Sequence, residues 1–260
     1  MIKKRKLSKP FKMVLIFIGI LIVVVLLSFI PMFRLETNGM KTFIGEYVTV
    51  YYEKEESAAK DVFALAEAES MRLANTLGFD SPQDICIYIY DSQSTFQTKK
   101  YGWIALLLNL DWYIGDNRGT NVLLTSPANS GSQHSYDELV NEISVHEMVH
   151  AYNSLINPNM ILWLNEGLAG YLSNQAPQFT MSSEVPIPTI EQMQISNPVK
   201  FSNMGGYQLS YTYIEYLNDV YGWENVQVLA QTNDYIQAFH IEEDVIYKDW
   251  IDFLYRNYSK

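Results

Sequence analysis

From Met13 to Phe33 the chain runs 21 residues without a charge, MVLIFIGILIVVVLLSFIPMF. As a helix it spans ~30 Å, the thickness of a bilayer's hydrocarbon core, and few soluble folds can hide so long an apolar stretch. Six cations, Lys3, Lys4, Arg5, Lys6, Lys9 and Lys12, precede it with no acid among them. By the positive-inside rule they hold the N-terminus in the cytoplasm and put residues 34–260 outside. A cleaved signal peptide is the alternative, but its apolar core is shorter, about 7–15 residues, and ends at small residues. Ile30-Pro31-Met32-Phe33-Arg34 offers no such pair, so an uncleaved single-pass anchor in the cell membrane is expected.

The remainder is acidic. Of the 18 Lys and Arg, six precede the apolar run, and the 12 that follow face 29 Asp and Glu, a balance of −17. Such a surface repels phosphate backbones and excludes nucleic acid as a partner. The only cysteine, Cys86, cannot form an internal disulfide and reads as a strand core position. Stability must come from the hydrophobic core, and the chain beyond the anchor is long enough to build a large one.

The sequence divides into a basic segment (1–12), the anchor (13–33), a stalk (34–42) and a folded domain (43–260). β-Branched and aromatic residues predict strands over 47–52, 84–90 and 121–125. An Ala-rich helix over 56–77 stops at Gly78. Residues 101–116 are apolar but uneven and receive no assignment, and 126–134 read as a loop. From Ser135 onward the chain is mostly helical, closing with an amphipathic helix over 243–258. The Pro-containing stretch 185–190 reads as a loop over one end of a cleft. The layout is α+β, a small mixed sheet followed by a mainly helical part.

One segment carries chemistry. Ser135 and Glu138 have capping-box spacing, and Leu139, Val140, Ile143 and Met148 give the helix that follows a buried face. On it His146 and His150 stand four apart, so both imidazoles leave one side and can grip one cation, with Glu147 beside them as general base. This is the zincin H-E-x-x-H arrangement, and two of only four histidines fall on it. A third ligand follows by elimination. Asn153 and Ile156 occupy the positions where a metzincin extension needs Gly and His, and 151–217 holds no His, Cys or Asp. Of Glu166, Glu184, Glu191 and Glu215, only Glu166 lies in an apolar helical segment close behind, with Asn157-Pro158-Asn159 to fold the two helices antiparallel. Ligation also removes the cost of burying that carboxylate. One zinc per chain, held by His146, His150 and Glu166, is expected.

His146-Glu-Met-Val-His150 followed by Trp163-Leu-Asn-Glu166-Gly-Leu-Ala resembles the gluzincin metallopeptidases, specifically the peptidase MA-like group related to the zinc aminopeptidases. The resemblance is carried by 135–220 and implies a zincin-like domain. It extends to Tyr207-Gln-Leu-Ser, similar to a segment whose Tyr donates to the oxyanion, which implies that role for Tyr207, with Tyr211 as the alternative. The aminopeptidases also carry an upstream glutamate that holds the substrate's free amine. Residues 117–134 contain no acid, so endopeptidase action is favoured. Gly170 stands where that family has a carboxylate one turn after the third ligand, so no partner for a ligating imidazole is identified.

These parts imply peptide hydrolysis by a water acidified at zinc, with Glu147 shuttling its proton and Tyr207 sharing the oxyanion charge. An extended substrate adds along 121–125 if that strand is the sheet edge. His134 reads as an exposed loop residue, the alternative being a place in the cleft, and His240 reads as structural. The competing class is a non-catalytic zinc-containing module acting on a membrane or envelope partner, against which the presence of Glu147 argues. An intramembrane protease is excluded by Asp137, Glu138 and Glu142 on the histidine helix.

Overall fold

The computed structural model describes residues 9–107, 114–129, 134–182 and 185–259. Residues 3–6, part of 101–116, the middle of the 126–134 loop and Glu184 lie outside these. Helix α1 (Lys9–Ser28) runs on into a 3-10 turn (Ile30–Phe33), and the whole stretch is long and apolar enough to cross a membrane. No residue of α1 is buried by the rest of the protein.

Strands β1 (Lys41–Ile44), β2 (Val48–Tyr52), β3 (Ile85–Tyr90), β4 (Gly115–Arg118) and β5 (Asn121–Thr125) form one sheet in the order β1-β2-β3-β5-β4. The central β2, β3 and β5 are parallel and the two outer strands antiparallel to their neighbours. Parallel neighbours need a crossover, and α2 (Glu56–Thr76) supplies it between β2 and β3. It stops as its sequence predicts. Gly78 takes a positive φ and the Phe79 N–H returns to the Ala74 carbonyl, a Schellman closure.

The two-residue period of the strands sorts their side chains onto two faces. Val50, Ile87 and Val122 are in register and join the main core with α2 and the later helices. Tyr88, Tyr90 and Leu123 point the other way, onto Phe96 of α3 (Gln93–Tyr101). Cys86 lies half-buried on this second face, at its margin and not in the core.

The helical half begins with α4 (Tyr136–Glu138), a π turn (Leu139–Ile143) and α5 (Ser144–Ile156) as one continuous rod. Then come α6 (Leu162–Leu172), α7 (Ile190–Met193), α8 (Pro198–Asn203), α9 (Gly206–Tyr221), α10 (Trp223–Thr232), α11 (Tyr235–Phe239) and α12 (Glu243–Tyr258). Helices α6 and α9 meet closely at Gly167, where a Cβ would stand 2.7 Å from the Ser210 carbonyl oxygen. Trp163, Phe201, Tyr213 and Trp250 pack edge to face behind them.

Three further expectations need correction. Strand β5 is not the sheet edge: residues 115–118, left unassigned by their sequence, fold back on it as β4 through a two-residue hairpin with Gly119 at φ +57°. Segment 34–42 is no free stalk, since its end pairs with β2 and the Leu35 carbonyl accepts from Tyr90. The described part of 185–190 covers no cleft. Val185 and Ile187 pack on the main core, and the Pro188 carbonyl accepts from Tyr247 of α12.

Candidate metal centre

The Ser135–Glu138 capping box starts the rod as its sequence predicts, each residue bonding the other's backbone N–H. The π turn that follows sets the phase of the site. Glu138, Glu142, His146 and His150 are four residues apart, and in an unbroken α-helix each step drifts by about 40°, since a residue turns about 100°. One inserted π residue takes back about 100°, so these side chains and Glu147 line one cleft of about 530 Å³.

His146 Nε2 and His150 Nε2 stand 3.0 Å apart, and Glu166 Oε2 lies 3.3 Å from the first and 3.5 Å from the second. The three could hold a metal ion, their ligand atoms all falling within 4.8 Å of one another. What surrounds them fixes how they present. The Nδ1 of His150 faces Asn165 Oδ1 at 3.0 Å, and that oxygen also accepts from Asn153 Nδ2 at 2.8 Å. The Nδ1 of His146 faces Gln175 Oε1 at 2.9 Å. Amide oxygens only accept, so both imidazoles carry hydrogen at Nδ1 and, when neutral, aim their Nε2 lone pairs at one point. Lone pairs converging at that distance repel unless a cation or proton stands between them. Glu166 Oε2 adds a buried oxygen without a hydrogen-bond partner.

Gln175 reaches the site through a backbone device. Asn174 takes the left-handed conformation after α6 and the Gln175 N–H returns to the Gly170 carbonyl, another Schellman closure. This turns Gln175 back over Gly170, whose missing side chain leaves the Gln175 oxygen 3.9 Å from where a Cβ would be. The position that lacks an acid is thus filled by an amide from five residues on.

Electrostatics are set by burial. Burial opposes charge on His150, but the Glu166 carboxylate outweighs it and raises its pKa to about 9. Burial would also neutralise Glu166, yet the two histidines hold it well below the usual carboxylate range. Burial lowers His146. Glu147 is raised to about 8 by burial, with the Asp116 and Glu166 carboxylates adding to the rise and His150 and Lys100 opposing it. Its Oε2 is buried without a partner, and its carboxylate lies against β4, where a Cβ on Gly115 would stand 2.5 Å from Oε1.

Tyr207 lines the cleft at the start of α9, 38% exposed, with its ring edge-on to Phe201 at 5.0 Å. Gly205 (φ +73°) and Gly206, where a Cβ would stand 2.6 Å from the Phe201 carbonyl oxygen, bring it there. Burial raises its pKa. Tyr211 does not line the cleft and packs on Tyr171. His134 does line it, paired with Glu138, while His240 is exposed and caps α11 in the left-handed conformation. Sequence reasoning missed Gly115, Asn165, Gln175 and the pair formed by Lys100 Nζ and Asp116 Oδ1 at 3.1 Å, which borders the cleft. Asp116 lies one residue outside the acid-free segment. Burial raises its pKa and Lys100 opposes the rise. No protein-family profile matches the chain, and no curated protein matches it.

Proposed function

We propose that the chain is a membrane-anchored, extracytoplasmic zinc peptidase of gluzincin type. The observation that carries this reading is the convergence of two Nε2 atoms and a carboxylate oxygen on one point, with the buried Glu147 carboxylate alongside. Two imidazoles and one carboxylate would suit zinc, and three such ligands facing a cleft suit catalysis more than a structural site. Zinc held there supplies a Lewis acid and lowers the pKa of a bound water.

The chain's own residues do the rest. Glu147 takes the proton of the attacking water on its carboxylate and delivers it to the leaving amine. Its burial suits this, because a carboxylate shielded from solvent keeps the proton for the leaving amine. Tyr207 donates its hydroxyl hydrogen to the oxygen that gains charge. Strand β4, an edge strand among the described residues, offers an extended peptide backbone partners beside Glu147. Endopeptidase action is favoured, since 117–134 supplies no acid to fix a free amine and Asp116 beside it is paired with Lys100.

The rival is a non-catalytic metal-containing module of the same fold. Metal analysis of the full chain, with a broad peptide-library digest of wild type and Glu147→Gln, separates the two. The peptidase reading expects metal in both proteins and cleavage by wild type alone. Metal in both and cleavage by neither supports the module.

A further inference from the structure

Beside the end of α1 the folded domain carries an apolar surface that no described residue covers. The 3-10 turn Trp103–Leu107 presents Trp103, Leu106 and Leu107, the last 83% exposed, and the turn after α1 presents Ile30 and Phe33, the latter 89% exposed. The two are continuous. α1 packs on the 103–107 turn, and Gly102 lies so close that a Cβ there would stand 2.3 Å from the Ser28 carbonyl oxygen.

This junction is stiff. Lys99 Nζ donates to the Arg34 carbonyl at 2.6 Å and to the Glu36 carbonyl at 2.8 Å, Tyr90 donates to the Leu35 carbonyl, and Arg118 donates to the Met32 carbonyl. The domain cannot swing freely on its helix, so 103–107 stays at the level where the helix ends. The uncharged run ends at Phe33 after 21 residues, against the about 20 that cross a hydrocarbon core, so its last turn stands where the core meets the interfacial layer. Tryptophan and flanking leucines favour that layer, and an uncovered patch of this kind on a soluble face is uncommon.

We propose that 103–107 and 30–33 form a lipid-facing platform that seats the domain on the outer surface of the bilayer crossed by α1. Lipid is the occupant because the patch is continuous with the apolar helix. The seat has a consequence for the cleft. Arg118, bonded to the helix exit, and Gly115, against Glu147, lie on one short strand, about 10 Å apart at ~3.3 Å per residue. Resting on the peptidase reading, this restricts substrates to polypeptide segments just outside the membrane.

The test places nitroxide labels on the full chain in phosphatidylcholine nanodiscs, one copy per disc. Leu107→Cys, Val23→Cys and Val245→Cys are made separately on a Cys86→Ser background. Collision with oxygen against a polar nickel chelate reports whether each label meets lipid or water. Val23 is expected in lipid, Val245 in water, and Leu107 on the lipid side with at least a threefold lower chelate accessibility than Val245. Val23 in lipid with Leu107 as open to the chelate as Val245 overturns the platform and leaves the peptidase reading untouched. Leu107 shielded from both reagents means a protein cover, which also overturns it. Val23 in water removes the anchor and the platform together. As a label-free check, lipids brominated near the glycerol should quench tryptophan emission in wild type and less in Trp103→Phe. Equal quenching argues against insertion.

Discussion

Gly115→Ala tests the placement of Glu147 without touching it. The new Cβ would stand 2.5 Å from Oε1, 2.8 Å from Cγ and 2.9 Å from Cδ, where ordinary contact begins at 3.4 Å, so the carboxylate must retreat by about 0.9 Å. The fold can accommodate this. Gly115 has no positive φ, and what must move is one side chain, Glu147 from Cγ outward, and no backbone. Unfolded-state entropy even favours Ala at an unstrained site by roughly 0.4–1 kcal/mol, so Tm should change little. The proposed peptidase chemistry cannot accommodate it, since a misplacement of about 1 Å costs roughly 10²-fold, or ~2.7 kcal/mol of barrier. The assay is kcat on a quenched fluorescent peptide drawn from the library digest, with metal content and Tm on the same preparation. The expected result is kcat down ~10² with metal and Tm unchanged. A variant with full metal and kcat within about threefold of wild type refutes the argument, because the base would then tolerate a displacement that general-base geometry forbids.

Three further outcomes separate the roles in the site. Glu147→Gln should keep metal and lose at least the ~10²–10⁴-fold of a general base, whereas Glu166→Gln should lose metal and activity together; metal content against turnover decides. Tyr207→Phe keeps the ring on Phe201 and removes a donor, so kcat should drop roughly 10²–10³ with KM nearly constant, and an unchanged kcat would remove Tyr207 from the mechanism. His150, raised to about 9 in the metal-free chain, is protonated below that pH, so metal uptake at neutral pH should release its proton and tighten as pH rises toward 9. Calorimetry in buffers of different ionisation enthalpy measures this, and uptake without proton release contradicts it.

The cluster of His146, His150 and Glu166 is legible in the sequence because it is local. His146, Glu147 and His150 occupy one helical turn, and Glu166 follows on the next helix across a Pro-containing turn. Helical spacing alone brings such residues together. The chain caps are legible for the same reason, as at Ser135 and Gly78. What borders the ligands is not. Gly115 and Asp116 matter only because β4 folds onto β5 and ends beside α5, a pairing that a four-residue strand of Gly, Asp, Asn and Arg does not advertise. Lys100 reaches Asp116 from another helix. Asn174 as a left-handed helix terminator was a readable signal for Gln175, since Asn is the usual substitute for Gly there, but not for what Gln175 would touch. The π turn leaves no trace in composition. It shows only in the common facing of Glu138 and His150.

The Lys100–Asp116 pair offers a last prediction, about the working pH of the base. Lys100 is buried against Asp116, and its charge lowers the pKa of both Asp116 and Glu147, while the Asp116 carboxylate raises that of Glu147. Lys100→Met keeps the length of the stem and removes the charge, leaving Asp116 uncompensated beside the base. Both carboxyls then hold their protons to higher pH. Glu147 must be ionised to accept a proton, so activity is lost as pH falls through its pKa, and the acid limb of kcat/KM should move upward. Turnover should recover at high pH, and metal content should stay constant. Lys100→Met with Asp116→Asn removes both charges, and replacing a whole buried pair is far milder than breaking it. The double variant should therefore return the limb close to wild type. A purely structural pair behaves differently: Lys100→Met lowers kcat/KM equally at every pH, and the double variant restores no limb because none has moved.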